Sequence, residues 1–192
     1  MGGFYPNYAP ALAGLAQIES QYYRNIEINE TRLRNAEQFA RRALVMDPKL
    51  SEAHVALGTI YAVRYDYVSA AAEFREAIRL DPENAYAWDF LSWVFAYRQP
   101  PEAVEAEKAA REAIRLAPSF FGAHYHLGRA LLLQRRYPEA IAAFEHTKEL
   151  SPGSSSPDFG LAQVYLAQGN YDQALAHMLK FGEPQVAIDL FC

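Results

Sequence analysis

Along residues 51–82 the small and apolar side chains recur at a helical spacing. His54, Leu57, Gly58 and Tyr61 lie three, one and three residues apart, and Ala70, Phe74 and Ala77 lie four and three apart. Spacing of the i, i+3, i+4, i+7 kind gathers side chains into one stripe of an α-helix, so the segment predicts two amphipathic helices with a turn before Tyr67. The second helix runs into Asp81-Pro82. Proline stops a helix because it has no N–H and disfavours helix in the residue before it. The same ending recurs as RRALVMDP, REAIRLDP, REAIRLAP and HTKELSP, closing on Pro48, Pro82, Pro118 and Pro152, which are 34, 36 and 34 residues apart. The pattern predicts a repeated helix–turn–helix unit of about 34 residues.

With Ser51 as position 1, the first regular unit places His54, Leu57, Gly58, Tyr61, Ala70, Phe74, Ala77 and Pro82 at positions 4, 7, 8, 11, 20, 24, 27 and 32. The unit from Ala85 carries Trp88, Leu91, Ser92 and Phe95, then Ala106, Ala110, Ala113 and Pro118, with two extra residues in its turn around Pro100-Pro101. The third, from Phe121, carries His124, Leu127, Gly128, Leu131, Ala140, Phe144, Thr147 and Pro152. The fourth, from Ser155, carries Asp158, Leu161, Ala162, Tyr165, Ala174, Met178 and Phe181. These residues resemble the tetratricopeptide repeat (TPR), and the resemblance covers almost the whole chain. It implies an all-α, right-handed α-solenoid of antiparallel helix pairs, divided as 51–84, 85–120, 121–154 and 155–184. Small residues at positions 8 and 20 are expected where the two helices of a unit cross, and large ones at 7, 11 and 24 between units. One helix pair cannot bury its stripe alone, whereas stacked neighbours can. Tyr67, Tyr137 and Tyr171 recur just after the turn as expected structural contacts.

Residues 8–48 read as a divergent unit with lengthened helices, about Tyr8–Tyr23 and Thr31–Met46. Tyr8, Ala11, Leu12 and Leu15 fit positions 4, 7, 8 and 11, and Ala36, Ala40, Ala43 and Pro48 fit 20, 24, 27 and 32. A long opening pair followed by regular units resembles TPR regions joined to bacterial signalling proteins. Residues 185–192, with Val186, Ile188, Leu190 and Phe191, read as a short closing helix over the open end of the array.

Composition agrees with an all-α array. Alanine occurs 33 times while Val, Ile and Thr together occur 19 times, the reverse of what a sheet protein needs. The hydrophobic fraction is 51%, too high for a disordered chain. The lone cysteine, Cys192, allows no disulfide within one chain and no cysteine-based metal site. No run of 18 apolar residues predicts a membrane span, and no basic region followed by an apolar stretch predicts a signal peptide, which points to a cytoplasmic protein. Pro6 stands where an N-myristoylation motif requires Ser or Thr. The net charge of −5, with basic residues clustered no further than pairs, argues against a nucleic-acid partner.

No HExxH, GxSxG or Walker motif is present, so neither an enzyme nor a cofactor is expected. His54 and His124 share position 4 with Trp88 and read as packing residues, and His124 and His126 point in different directions. In the TPR family the inner, concave wall is built by the first helix of each unit, chiefly positions 2, 5, 9, 12 and 13. Here those positions supply Tyr86, Asp89, Trp93 and Tyr97, then Tyr125, Arg129, Leu132 and Leu133, then Phe159, Gln163, Leu166 and Ala167. The expected partner-binding set is Tyr86, Asp89, Trp93, Tyr97, Tyr125, Arg129, Leu133, Phe159 and Gln163, with Asp89 and Arg129 its clearest charged pair and Trp93 exposed in the free protein. Aromatic and arginine side chains dominate binding hot spots, which predicts an apolar peptide or helix as the partner. Two alternatives stand beside this: the aromatics bury one another in a tightly closed superhelix, or the C-terminal helix or a second copy of the chain covers them. The lysines and asparagines with which some TPR proteins clamp a chaperone's C-terminal carboxylate are absent, since Val55, Thr59, Phe90, Gly122 and His126 occupy those positions. The rival function is a self-associating array whose aromatic surface is a homodimer interface.

Overall fold

The structure, a computed structural model, describes residues 8–25 and 30–181. Among them it contains ten α-helices and no strand: α1 (Ala9–Asn25), α2 (Glu30–Met46), α3 (Ser51–Val63), α4 (Tyr67–Leu80), α5 (Ala85–Tyr97), α6 (Ala103–Leu116), α7 (Phe121–Leu133), α8 (Tyr137–Leu150), α9 (Ser156–Ala167) and α10 (Tyr171–Phe181). The helices α4, α6 and α8 each end two residues before the repeating proline, as the spacing predicts. No helix of the described residues is long and apolar enough to cross a membrane. The proposed closing helix at 185–192 lies outside the described residues. The chain divides into two compact units, one up to Ala87 and one from Trp88.

In the first unit α1 packs on α2 and α3, and α3 on α4. Leu33, Ala36 and Ala40 of α2 are buried with Leu57 and Ile60 of α3. The register expected for α1 is corrected by one residue. Tyr8, Ala11 and Leu15 are exposed, and the buried face is Ala9, Ala13 and Ala16, with Leu12 half-buried. Ala9 and Ala13 pack with Ala43 and Ala53. Four alanine methyl groups let the helices approach where a tyrosine or leucine would hold them apart, so the larger side chains turn outward. The start of α4 is fixed by Asp66, whose carboxylate accepts from the Ser69 N–H at 3.1 Å. The side-chain and backbone hydrogen bonds from Ser69 hold that carboxyl below its ordinary range.

In the second unit α6 packs on α7, α7 on α8, α8 on α9, and α9 on α10. Its core joins Leu131, Ala140, Phe144, Leu161 and Val164. Phe144 explains the glycine at position 8: a Cβ on Gly128 would lie 2.8 Å from its ring, and one on Gly160 would lie 2.5 Å from it. Gly58 meets Phe74 in the same way in the first unit, at 2.7 Å. Position 15, in the turn between paired helices, is left-handed in three units: Tyr65 at φ 62°, Arg135 at 59° and Gly169 at 76°. Only the last of these residue types adopts that conformation without steric cost. Of the tyrosines after the turn, Tyr67 and Tyr137 are half-buried and Tyr171 is 70% exposed.

Candidate functional site

Eight of the nine expected binding residues belong to the second compact unit. Tyr86 belongs to the first and is exposed. The eight lie on α5, α7 and α9, the first helices of three successive pairs, and their spacing of four residues keeps each pair on one helix face.

At the centre is Arg129. Its guanidinium carbon lies 3.8 Å from the centroid of the Tyr97 ring, and Nη1 donates to Gln163 Oε1 at 3.2 Å. Tyr97 in turn meets Trp93 edge-on, with ring centroids 6.3 Å apart, and Trp93 meets Phe90 at the same distance. Residues from three helices therefore form one connected row, Trp93–Tyr97–Arg129–Gln163. Tyr125 stands beside it, 5.4 Å from Phe144 between ring centroids. Burial pushes the Tyr125 phenol well above its ordinary range, the neighbouring Tyr97 adds to the rise, and Arg129 opposes it. It remains a neutral hydroxyl at physiological pH.

Next to Arg129 and Gln163, the C-terminal turns of α7 and α9 enclose a depression of about 290 Å³, completed by Leu132, Leu133, Leu166 and Ala167. All six lining residues occupy repeat positions 9, 12 and 13 on the expected inner wall. Leu133 is 37% exposed and Leu166 is 57% exposed.

Two features differ from the sequence-based expectation. Asp89 is buried, and its Oδ1 lies 2.7 Å from Nδ1 of His126. A partnered, buried carboxylate fixes α5 to α7 and is not presented to a ligand. The sequence reading weighs His126, at position 6, only beside His124 and as an occupant of a clamp position, and does not pair it with Asp89; a histidine one unit after an inward aspartate was the available signal. The aromatics are also less open than expected: Trp93, Tyr97, Tyr125 and Phe159 are all half-buried. Trp93 is thus corrected from an exposed to a half-buried residue, because Phe90 and Tyr97 pack on either side of it. Phe159 packs on Phe181, with the rings tilted and 5.0 Å between centroids.

Other polar side chains tie the helices of this unit together. His124 Nε2 lies 2.9 Å from the Pro118 carbonyl oxygen. Glu107, buried on α6, accepts from Gln134 at 2.6 Å and from Arg136 at 2.7 Å. Among the described residues no three His, Cys, Asp or Glu side chains converge on a point that could hold a metal.

Comparison with known proteins agrees with the helix pairs. Tetratricopeptide repeat profiles match residues 29–85 and 105–155, and again 131–180. Superkiller protein 3 of Schizosaccharomyces pombe is 28% identical over 138 residues, covering 69% of this chain and 10% of that protein. The chain therefore spans about a tenth of the length of that relative. Among solved structures, TTC0263, a thermophilic TPR protein of Thermus thermophilus, superposes with a TM-score of 0.73 at 21% identity, covering 88% of this chain and 89% of the other. YrrB, a TPR protein with an unusual peptide-binding site, superposes with a TM-score of 0.64 at 21% identity, covering 95% and 91%. With profile matches over more than half its length and the residues of each unit in their repeat positions, the chain belongs to the tetratricopeptide repeat family.

Proposed function

We propose that the second compact unit is a docking surface on which α5, α7 and α9 receive an apolar peptide or helix from a partner protein, making the chain a scaffold or adaptor with no catalytic role. TPR proteins generally mediate protein–protein interactions. The observation that carries the finer reading is the depression between α7 and α9: Leu133 and Leu166 flank it partly exposed while Arg129 and Gln163 supply its polar edge. Leucines left at the mouth of a concavity, with a few convergent polar groups, are what an apolar ligand needs. The long α1–α2 pair supports a place in a cytoplasmic bacterial signalling protein, where the array would recruit a partner to a neighbouring domain.

The test is a random peptide library selected on the full chain. Replacing Leu133 and Leu166 together by glutamate should leave helicity and melting temperature near the parent's, because both are already partly in solvent. It should weaken the selected peptides by roughly tenfold or more. Unchanged affinity in a folded double variant would remove the site.

Self-association is the second reading, favoured by α10, which leaves Leu175 60% and Leu179 65% exposed. Sedimentation velocity decides it: a concentration-dependent dimer abolished by Leu175→Glu with Leu179→Glu supports it, and a monomer at all concentrations rejects it.

A further inference from the structure

Arg129 differs from the other arginines of its compact unit. Arg98, Arg111, Arg115 and Arg136 each bind a glutamate. Arg135 is exposed, where water serves its donors. Arg129 is half-buried and has no carboxylate partner among the described residues; its contacts are the neutral amide of Gln163 and the face of Tyr97. Its Nε is buried with no hydrogen-bond acceptor. With Nε sealed from solvent and Nη1 donating to Gln163, the donor group a partner can reach is Nη2, at the terminal end of the guanidinium. The depression beside it contains leucines, an alanine and a glutamine but no acidic residue. The one inward aspartate, Asp89, is engaged by His126.

A guanidinium in that state is half desolvated without the compensation that a carboxylate supplies, and its terminal N–H groups can donate a charge-assisted hydrogen bond to a carboxylate oxygen. Stacking on Tyr97 fixes the plane of the group in advance, so little side-chain freedom is lost when the anion arrives.

Building on the docking surface proposed above, we propose that Arg129 recognises an acidic side chain, an Asp or Glu within the partner peptide, whose flanking leucine-type residues fill the depression between α7 and α9. The charge complementarity selects an internal acid. A free C-terminal carboxylate is the poorer fit, because the lysines and asparagines that would surround one are absent from the wall.

The experiment is selection of acetylated, amidated random peptides on the full chain, followed by fluorescence polarisation with the best binder. Its acidic residue is changed to the matching amide, and the protein carries Arg129→Lys or Arg129→Met. The expected selection is an Asp or Glu between leucine, isoleucine or methionine residues. On the parent protein the amide peptide should bind about tenfold more weakly. On Arg129→Met the acid and amide peptides should bind equally, while Arg129→Lys should retain part of the preference. The peptide-side change needs no folding control, and circular dichroism checks the protein variants. Acid-free binders that still lose affinity in the Leu133/Leu166 double glutamate variant would overturn the Arg129 role and leave the docking surface standing. Binders indifferent to both the leucines and Arg129 would overturn both. Tighter binding by the same peptides with a free C-terminus would replace the side chain by a terminal carboxylate. Competition by a synthetic peptide of residues 185–192 at equal affinity would reassign the site to the chain's own segment and overturn the partner.

Discussion

The helix pairs α5–α6 and α7–α8 occupy equivalent places in the repeat and cross by different means. In α7–α8 the crossing is an aromatic ring laid over glycine: Phe144 at position 24 meets Gly128 at position 8 and Gly160 of the following helix. In α5–α6 position 24 is Ala110 and position 8 is Ser92, both fully buried, and the Ser92 hydroxyl donates to the Ala106 carbonyl at 2.8 Å. Where the ring is present, no side chain is tolerated beneath it. Where the ring is absent, a small polar side chain enters and bonds the neighbouring helix. The two positions therefore divide a shared volume, and a substitution at one is interpretable only with its partner.

The largest effect should come from removing the ring. Phe144→Ala leaves the ring's volume empty between Gly128 and Gly160 and should cost about 3–5 kcal/mol, read as a lower urea midpoint. A cost below about 1 kcal/mol would break the comparison. Gly128→Ala, which places a methyl group against the ring, should cost about 1–3 kcal/mol. Installing the α5–α6 solution in α7–α8, with Gly128→Ser and Phe144→Ala together, should cost less than the sum of the two single changes; strict additivity would show that the positions do not share space. Ser92→Ala should cost about 0.5–1.5 kcal/mol by loss of its one hydrogen bond, and a neutral result would assign Ser92 to space filling alone.

The smallest effects concern charge, where equivalent positions exchange roles. Positions 4 and 23 hold His54 and Glu73 in α3–α4, 2.7 Å apart, and Asp158 and His177 in α9–α10, 2.8 Å apart. The Glu73 hydrogen bond raises the His54 pKa above its ordinary 6.5, against the opposing effect of burial. That contribution to stability is complete below about pH 6.5 and fades as pH rises through the raised value. Asp158 is the mirror case. Burial raises its pKa, but hydrogen bonds from Lys148 and His177 outweigh burial and hold it below 3.8. Its contribution is present above about pH 3.8 and fades as pH falls through the lowered value. Glu73→Gln should accordingly destabilise the chain more at about pH 5.5 than at about pH 9, and Asp158→Asn more at about pH 6 than at about pH 3. Thermal melts across pH measure both, and profiles of the same direction would contradict the exchange.

Much of this is legible in the sequence. Proline spacing marked the ends of α4, α6 and α8, because a missing N–H is a local property of one residue. Positions 9, 12 and 13 of the α7 and α9 units put Arg129, Leu133 and Gln163 on the expected inner wall, and the structure sets these three beside one depression. Register in α1 was not legible, since its buried face is made of alanines and exposed Tyr8 and Leu15 look more like core. The partner of Asp89 was also hidden, because it comes from His126, 37 residues later. A histidine one unit after an inward aspartate marks the candidate, but whether the two meet depends on how one helix rotates against the next, and a single sequence does not carry that angle.

Both tryptophans of the chain, Trp88 and Trp93, lie on α5, and Trp93 touches the tyrosine on which Arg129 rests. The molecule thus carries its own optical reporter. On the proposal above, an anion held by the guanidinium would alter the field across Tyr97 and the surroundings of the indole beside it, and so shift the emission of Trp93. Occupancy of the proposed surface would then be followed in unlabelled protein, and a Trp88→Phe variant would isolate the signal to a single chromophore.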